Sequence, residues 1–261
     1  MTYTDTPKPI LPVLLQALRL PYMKRQWQEL ESLAIREGWS HAQFLLALCE
    51  GERDGRYASR VERYLKDSGL PRSKSLSNFD FSCCPTVDQG TILRLASDPF
   101  WLDRGENLLI FGPSGVGKTH IAAAIARSLI ESGRRIKFTT ATVLVQQLQQ
   151  AKAELVLPTF LSKLERYELL VIDDLGYVKK SEAETSVLFE LISHRYELKS
   201  LLITANQTFS EWDSIFADAT MTVAAVDRLV HHATIIEISQ ESFRKKTALS
   251  RSNFRDSNQP L

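Results

Sequence analysis

Residues 107–130 read NLLIFGPSGVGKTHIAAAIARSLI, and this stretch decides the fold. An apolar run, Leu108–Phe111, ends in Gly112-Pro113-Ser114-Gly115-Val116-Gly117-Lys118-Thr119, a full match to GxxxxGK[ST], and an alanine-rich helical run follows at once. Strand, glycine loop and helix in that order make a phosphate cradle. Glycines at 112, 115 and 117 let the backbone curl so that its N–H groups and the helix N-terminus face an anion. Lys118 supplies a point charge for the β- and γ-phosphates and Thr119 a hydroxyl for Mg²⁺, and with His120 the expected nucleotide-binding segment is 112–120. The alternative, a glycine turn that happens to precede a helix, does not account for so many elements in agreement.

Around this unit, short β-rich runs alternate with helices: Asn107–Phe111, Lys118–Ser132, Ile136–Thr139, Thr142–Ala153, Leu169–Asp173, Glu182–Arg195, Ser200–Thr204 and Ile235–Ile238. That alternation predicts an α/β fold, a parallel sheet with helices on both faces. The run Leu169-Leu-Val-Ile-Asp173-Asp174 is a buried strand ending in two carboxylates. Asp173 is the candidate for the Mg²⁺ shell and Asp174 for polarising an attacking water; the other reading of Asp174 is a cap on the turn at Leu175-Gly176. Asn206, just past Ser200–Thr204, is a candidate sensor of the γ-phosphate, or else a turn-forming residue. Arg228 is a candidate arginine finger, supplied in trans by a neighbouring subunit, against the alternative of a salt bridge to Asp227 or Glu237. His231-His232 has no metal-like companions in the sequence and reads as a helix-end pair.

Upstream the texture is different. From Ile10 to about Ser68 the pattern is helical, with Met23, Trp27, Leu30 and Leu33 at helix spacing. Ser40 and Gln43 form a capping box that opens a short helix through Phe44, Leu45 and Leu48. In the helix after it, Arg53, Arg56, Arg60 and Arg63 fall within an arc of about 80°, beside Tyr57, Val61 and Tyr64. Such a stripe suits contact with phosphates or, salted by Glu52, Glu62 and Asp67, an ordinary solvated face. Pro71 closes the helical run, and PRSKSLSNFDFSCCP at 71–85 reads as a linker. The expected division is a helical domain over 1–70 for DNA or partner binding, a linker or domain entry over 71–85, and a nucleotide-binding domain over 86–261.

The 261 residues carry 32 Lys and Arg against 31 Asp and Glu, a net charge of +1, so any nucleic-acid binding has to come from local basic patches. The thiols Cys49, Cys83 and Cys84 lack paired metal spacing and read as buried or free thiols in a reducing cytoplasm. No run is apolar for the ~18 residues that crossing a bilayer needs, so the expected location is cytoplasmic, with no membrane partner.

In order, these pieces resemble the IstB-like ATPases, the transposition helpers of bacterial insertion sequences, which are related to the DnaC-type helicase loaders. The resemblance covers nearly the whole chain and rests on LRLPYMKRQWQEL, FLLALCEGERDGRYASRVERYL, GLPRSKSLSNFDF, GPSGVGKTH, LLVIDDLGY and VDRLVHHA. It implies an AAA+ P-loop core without a separate helical lid, ATP and Mg²⁺ as ligands, assembly as a homo-oligomer on double-stranded DNA, and a partner transposase directed to its target. Carried over by position, Lys118 and Thr119 match the first phosphate motif, Asp173 and Asp174 the second, Asn206 the sensor, Arg228 the finger and Arg244 a second sensor. Thr142–Leu164 matches a helical insertion that lines a DNA channel, with Lys152, Lys163 and Arg166 as backbone contacts. The basic tail, Arg244 to Arg255, is a further candidate. An aspartate at 174, one methylene shorter than the common glutamate, predicts slow basal hydrolysis. The competing readings are a DnaC-like replicative helicase loader and a nucleotide-gated DNA scaffold with little need of hydrolysis. A small-molecule kinase is a more distant alternative. Asn206-Gln-Thr lacks the Lys and Asp pattern that reads guanine.

Overall fold

A computed structural model describes residues 10–176, 181–207 and 219–239. The tail from Arg244 to Arg255 lies outside these residues. The chain forms two compact units, residues 1–63 and 64–261.

The first unit is built from α1 (Ile10–Ala17), α2 (Pro21–Glu37) and most of α3 (His41–Ser68). Its core is Leu15, Trp27 and Leu48, with Leu20, Met23, Leu30 and Phe44 packed against them. The expected capping box opens α3: the Ser40 amide donates to Gln43 Oε1 at 2.8 Å and the Gln43 amide to Ser40 Oγ at 3.3 Å. The sequence suggested two helices here, but α3 is one helix of 28 residues. It runs on through Gly51 although a mid-helix glycine costs about 1 kcal/mol. The reason is steric: a Cβ at Gly51 would overlap the Tyr22 ring, which lies on the bare helix backbone. The glycine therefore brings α2 against α3. There Glu52, 4% exposed, accepts from the Tyr22 and Met23 amides at 2.9 and 3.2 Å and from Arg56 Nε at 2.9 Å. It satisfies two of the free N–H groups at the start of α2, a position where Leu20 offers no side-chain cap.

The second unit contains α4 (Gln89–Ser97), α5 (Phe100–Asp103), β1 (Asn107–Phe111), α6 (Lys118–Glu131), β2 (Ile136–Thr140), α7 (Ala141–Ala153), α8 (Leu157–Leu164), β3 (Leu169–Leu175), α9 (Glu182–Arg195), β4 (Ser200–Ala205), α10 (Ala219–Val230) and β5 (Ala233–Glu237). All strand pairs are parallel, in the order β2-β3-β4-β1-β5. The central strands β1 and β4 are buried throughout, as continuous apolar runs in a parallel sheet should be. β5 starts two residues earlier than expected because it pairs with β1 from Ala233 opposite Asn107. α6 packs against β1 to β4, and its small side chains at 122, 123, 124 and 126 let α4 approach from outside. Residues of α7, α9 and α10 share a core with Leu109, Phe111, Ile172 and Ile203.

The helix expected over Thr142–Ala153 is α7, and the helical stretch matched over 142–164 is completed by α8 after a break. Leu155 has φ 58°, and α8 starts afresh with a proline in its first turn. Residues 71–85 contain two short 3-10 turns, and Arg127 of α6 donates to the carbonyls of Pro71, Arg72 and Lys74. At the start of the sheet, Arg195 is 1% exposed and donates to the carbonyls of Leu164, Tyr167, Glu168 and Ser200. Burial pulls its pKa down to about 10. Nothing in the local sequence marks Arg195, since its acceptors are backbone carbonyls at the end of α8, in the turn after it and at the start of β4, gathered only by the fold.

Candidate functional site

The loop between β1 and α6 takes the form expected of it: Gly112, Gly115 and Gly117 all have positive φ. Gly112 is the most constrained by its surroundings, since at φ 146° a Cβ would overlap the Ile238 carbonyl oxygen, and at Gly117, φ 105°, it would sit 3.0 Å from the Phe79 ring. Lys118 is 4% exposed, and its ammonium donates to the carbonyls of Gly112 and Pro113 at 2.7 and 2.9 Å and to Asn206 Oδ1 at 2.6 Å. The candidate sensor and the loop lysine, 88 residues apart, thus meet directly. The register of β1 beside β4 makes this possible, because Phe111 and Ala205 are paired at the ends of the two strands.

The acidic pair sits on the next strand. Asp173 is 4% exposed and Asp174 is exposed. Burial is the largest influence on Asp173 and raises its pKa, with the Asp174 charge adding to the rise; hydrogen bonds from Thr204 and Thr119 and the charge of Lys118 offset only part of it. A carboxyl group beside a threonine hydroxyl and short of cationic partners is a hard-oxygen donor set of the kind that suits Mg²⁺. Thr119 and Asp173, both expected as metal ligands, are therefore hydrogen-bonded neighbours.

Ser114, Gly115, Val116, Gly117, Lys118, Thr119, His120, Asp174 and Asn206 line one cavity of about 550 Å³. Gly112 and Pro113 stand behind it as acceptors for Lys118. The far wall was not legible as a site. It comes from the stretch expected as a linker and includes Lys74, Asn78, Phe79 and Cys83. Phe79 stands edge-on to His120, with ring centroids 5.1 Å apart, and His120 Nε2 lies 3.0 Å from the Ser75 carbonyl oxygen. Burial pushes the His120 pKa down, which favours the neutral ring. The Cys84 thiol reaches the Val116 carbonyl at 3.6 Å. Two phenylalanines in a serine-rich stretch were the available signal.

Arg228 does not line this cavity. Its guanidinium lies 5.1 Å from the Phe189 ring centroid and donates to the Ala224 carbonyl of its own helix. Among the described residues it forms no ion pair with Asp227 or Glu237. His231 and His232 gain one companion, Glu197, with one ligand atom from each within 4.8 Å; all three are exposed.

The candidate DNA contacts fare differently from one another. In the first unit Arg56, Arg60 and Arg63 line a surface groove together with Arg19 and Arg25, which the arc did not include. Arg53 instead pairs with Asp54 at 2.9 Å, and Arg56 is shared between Glu52 and the Arg19 carbonyl. In the second unit Lys152 is bonded to Glu190 at 2.7 Å and to Ser186, and Lys163 lines a shallow depression beside α7 and α8.

Comparison with known proteins agrees with this geometry. The family described as IstB-like ATP binding protein matches residues 13–251. An insertion sequence ATP-binding protein of Sinorhizobium fredii is 50% identical over 239 residues, covering 92% of this chain and 80% of the relative. The ATP-binding protein of insertion sequence IS5376 of Geobacillus stearothermophilus is 37% identical over 227 residues, covering 87% of this chain and 90% of the relative. Among solved structures, the DnaC helicase loader superposes with a TM-score of 0.51 at 24% identity, covering 67% of this chain and 98% of that one, a likeness of fold. With a phosphate loop, an acidic strand end and Asn206 gathered at one cavity on a five-stranded parallel sheet, this chain belongs to the family of IstB-like ATP binding proteins.

Proposed function

We propose that this chain is a Mg²⁺-dependent ATPase that helps DNA transposition in the cytoplasm: it assembles on double-stranded DNA with ATP bound and directs a partner transposase to it. The observation that carries the reading is the convergence of Lys118, Thr119, Asp174 and Asn206 on a single cavity at the glycine loop, with Asp173 hydrogen-bonded to Thr119 beside it. The names of the relatives supply the biological setting.

In this reading the loop amides of 112–119 hold the triphosphate, and Phe79 and the rest of the 74–84 wall close off the end away from the acidic pair. Lys118 exchanges its present carbonyl and amide acceptors for phosphate oxygens. Thr119 and Asp173 would hold Mg²⁺, which when bound supplies neutralising charge to the phosphate oxygens. Asp174 accepts a proton from the attacking water and aligns it. Asn206, released from Lys118, turns its amide toward the γ-phosphate. Arg228 is outside its own chain's cavity, which supports a role on the neighbouring subunit of a homo-oligomer. Contact with DNA falls to the arginine groove of the first unit and to Lys163, with Arg53 and Lys152 weaker candidates because carboxylates already engage them.

The test is duplex binding by fluorescence anisotropy with a slowly hydrolysed ATP analogue, with ADP and without nucleotide, over a range of salt. The expected result is tight binding with the analogue alone, falling steeply with salt and nearly indifferent to sequence. Binding that ignores nucleotide would overturn the proposal. Arg228→Ala mixed with Asp174→Ala restores part of the turnover that each variant lacks alone, if the finger acts in trans; no restoration removes that role.

A further inference from the structure

We propose that Thr204 is a positioning residue that sets both members of the acidic pair at once; this rests on the ATP-hydrolysis reading above. Along an ordinary strand Asp173 and Asp174 would point to opposite faces of the sheet. They do not lie on an ordinary stretch. Ile172 pairs with Ile203 and Leu175 with Ala205, so Asp173 and Asp174 together face the single residue Thr204, which makes a β-bulge. Asp174 takes φ 58°, a left-handed conformation uncommon for residues other than glycine.

One hydroxyl spans the bulge. Thr204 is fully buried, and its Oγ1 donates to Asp173 Oδ1 at 2.6 Å while accepting from the Asp174 amide at 2.9 Å. It thereby fixes the side chain of one aspartate and the backbone of the next. Without it a buried carboxylate oxygen and a strand amide would lose their partner together, and the left-handed turn at Asp174 would lose its tie to β4. A β-branched side chain suits the task because its first torsion is stiff, so the two bonds are held in a fixed relation. Thr204 sits two residues before Asn206, which bonds Lys118. The end of β4 therefore addresses the acidic strand through one residue and the phosphate loop through another. The inference assigns to Thr204 the orientation of Asp173 toward Thr119 and of Asp174 toward the cavity.

Thr204→Val keeps the shape and removes both bonds; Thr204→Ser keeps the hydroxyl. Three quantities are measured on the full chain: affinity for a fluorescent ATP analogue with and without Mg²⁺, steady-state turnover with DNA, and hydrogen exchange at the Asp174 amide. The valine variant is expected to keep Mg²⁺-free affinity within about threefold, to lose most of the gain that Mg²⁺ adds, and to lose about tenfold or more in turnover. Its Asp174 amide exchanges faster, and serine restores all three. Wild-type turnover and Mg²⁺ response in the valine variant would overturn the inference, as would a serine variant no better than valine. A valine variant that also lost Mg²⁺-free affinity would mean that Thr204 merely supports the fold. If the wild type binds nucleotide without hydrolysing it, the ATPase reading fails, and the Mg²⁺ dependence of affinity still decides the role of Thr204.

Discussion

Each unit of the molecule buries one acidic side chain among its described residues, Glu52 in the helical unit and Asp173 in the sheet, and the two are surrounded in opposite ways. Burial alone would raise both pKa values. At Glu52 the rise is outweighed by Arg56 and by the amides of Met23 and Tyr22, so the carboxyl is held below its ordinary range. At Asp173 two hydroxyls and a nearby ammonium do not outweigh burial and the Asp174 charge, and the carboxyl is pushed up. One carboxylate is satisfied by its own fold, the other left short of positive charge. On the proposed function, the difference separates an acid that builds structure from an acid held ready for a cation.

The largest effects should come from the under-compensated side. Asp173→Asn is expected to cut ATP turnover by about 100-fold or more while keeping or raising the melting temperature of the nucleotide-free protein. A clear fall in that temperature would put Asp173 in the same structural class as Glu52 and break the contrast. Next in size is a purely structural cation of the second unit. Arg195→Met would take the guanidinium from four backbone carbonyls, of which Leu164 and Glu168 keep an amide donor, and should cost about 3 kcal/mol, read from chemical denaturation. A loss under about 1 kcal/mol would mean that water replaces the guanidinium there.

In the first unit, Glu52→Gln removes a charge that three donors satisfy and should lower stability by about 2 kcal/mol near neutral pH. The smallest and most discriminating effect is in its pH dependence. Because the folded-state pKa of Glu52 is lowered, its contribution is present above the ordinary carboxyl value near about pH 4 and vanishes as pH falls through the folded value. The gap between wild type and Glu52→Gln should therefore close in acid. For Asp173 the sign reverses, since its folded pKa is raised: stability present below the ordinary value is lost as pH rises through the folded one. Asp173→Asn should match wild type in acid and exceed it toward neutrality. Two gaps moving the same way with pH would contradict the assignment of opposite roles.

How much of this was visible in the sequence depends on chain distance. The phosphate loop was legible because its geometry is local: glycines, a lysine and a helix start within eight residues need no distant partner to be recognised. The acidic strand was legible for the same reason, as was the parallel sheet from its run of apolar strands between helices. The bulge that aims the two aspartates was not, because Thr204 lies 31 residues beyond Asp173 and looks like any strand threonine. Glu52 was read as salt on a basic face, and it does pair with Arg56, but its bonds to amides 29 and 30 residues away were not visible. The two helices read over 41–68 are one, and the packing of Tyr22 on Gly51 that joins them was not visible either. The cavity wall at 74–84 was hidden by composition, since serine, lysine and proline describe a linker until Arg127 fastens it down.

Titration calorimetry of a slowly hydrolysed ATP analogue with Mg²⁺ into wild type and Lys118→Ala tests the central claim, that loop, lysine and acidic pair form one triphosphate site. The account predicts one site per chain in the wild type and affinity reduced about 100-fold or more in the variant, which stays folded at the temperature of the measurement. Folded wild type that takes up no nucleotide, or a variant that binds as the wild type does, would contradict it.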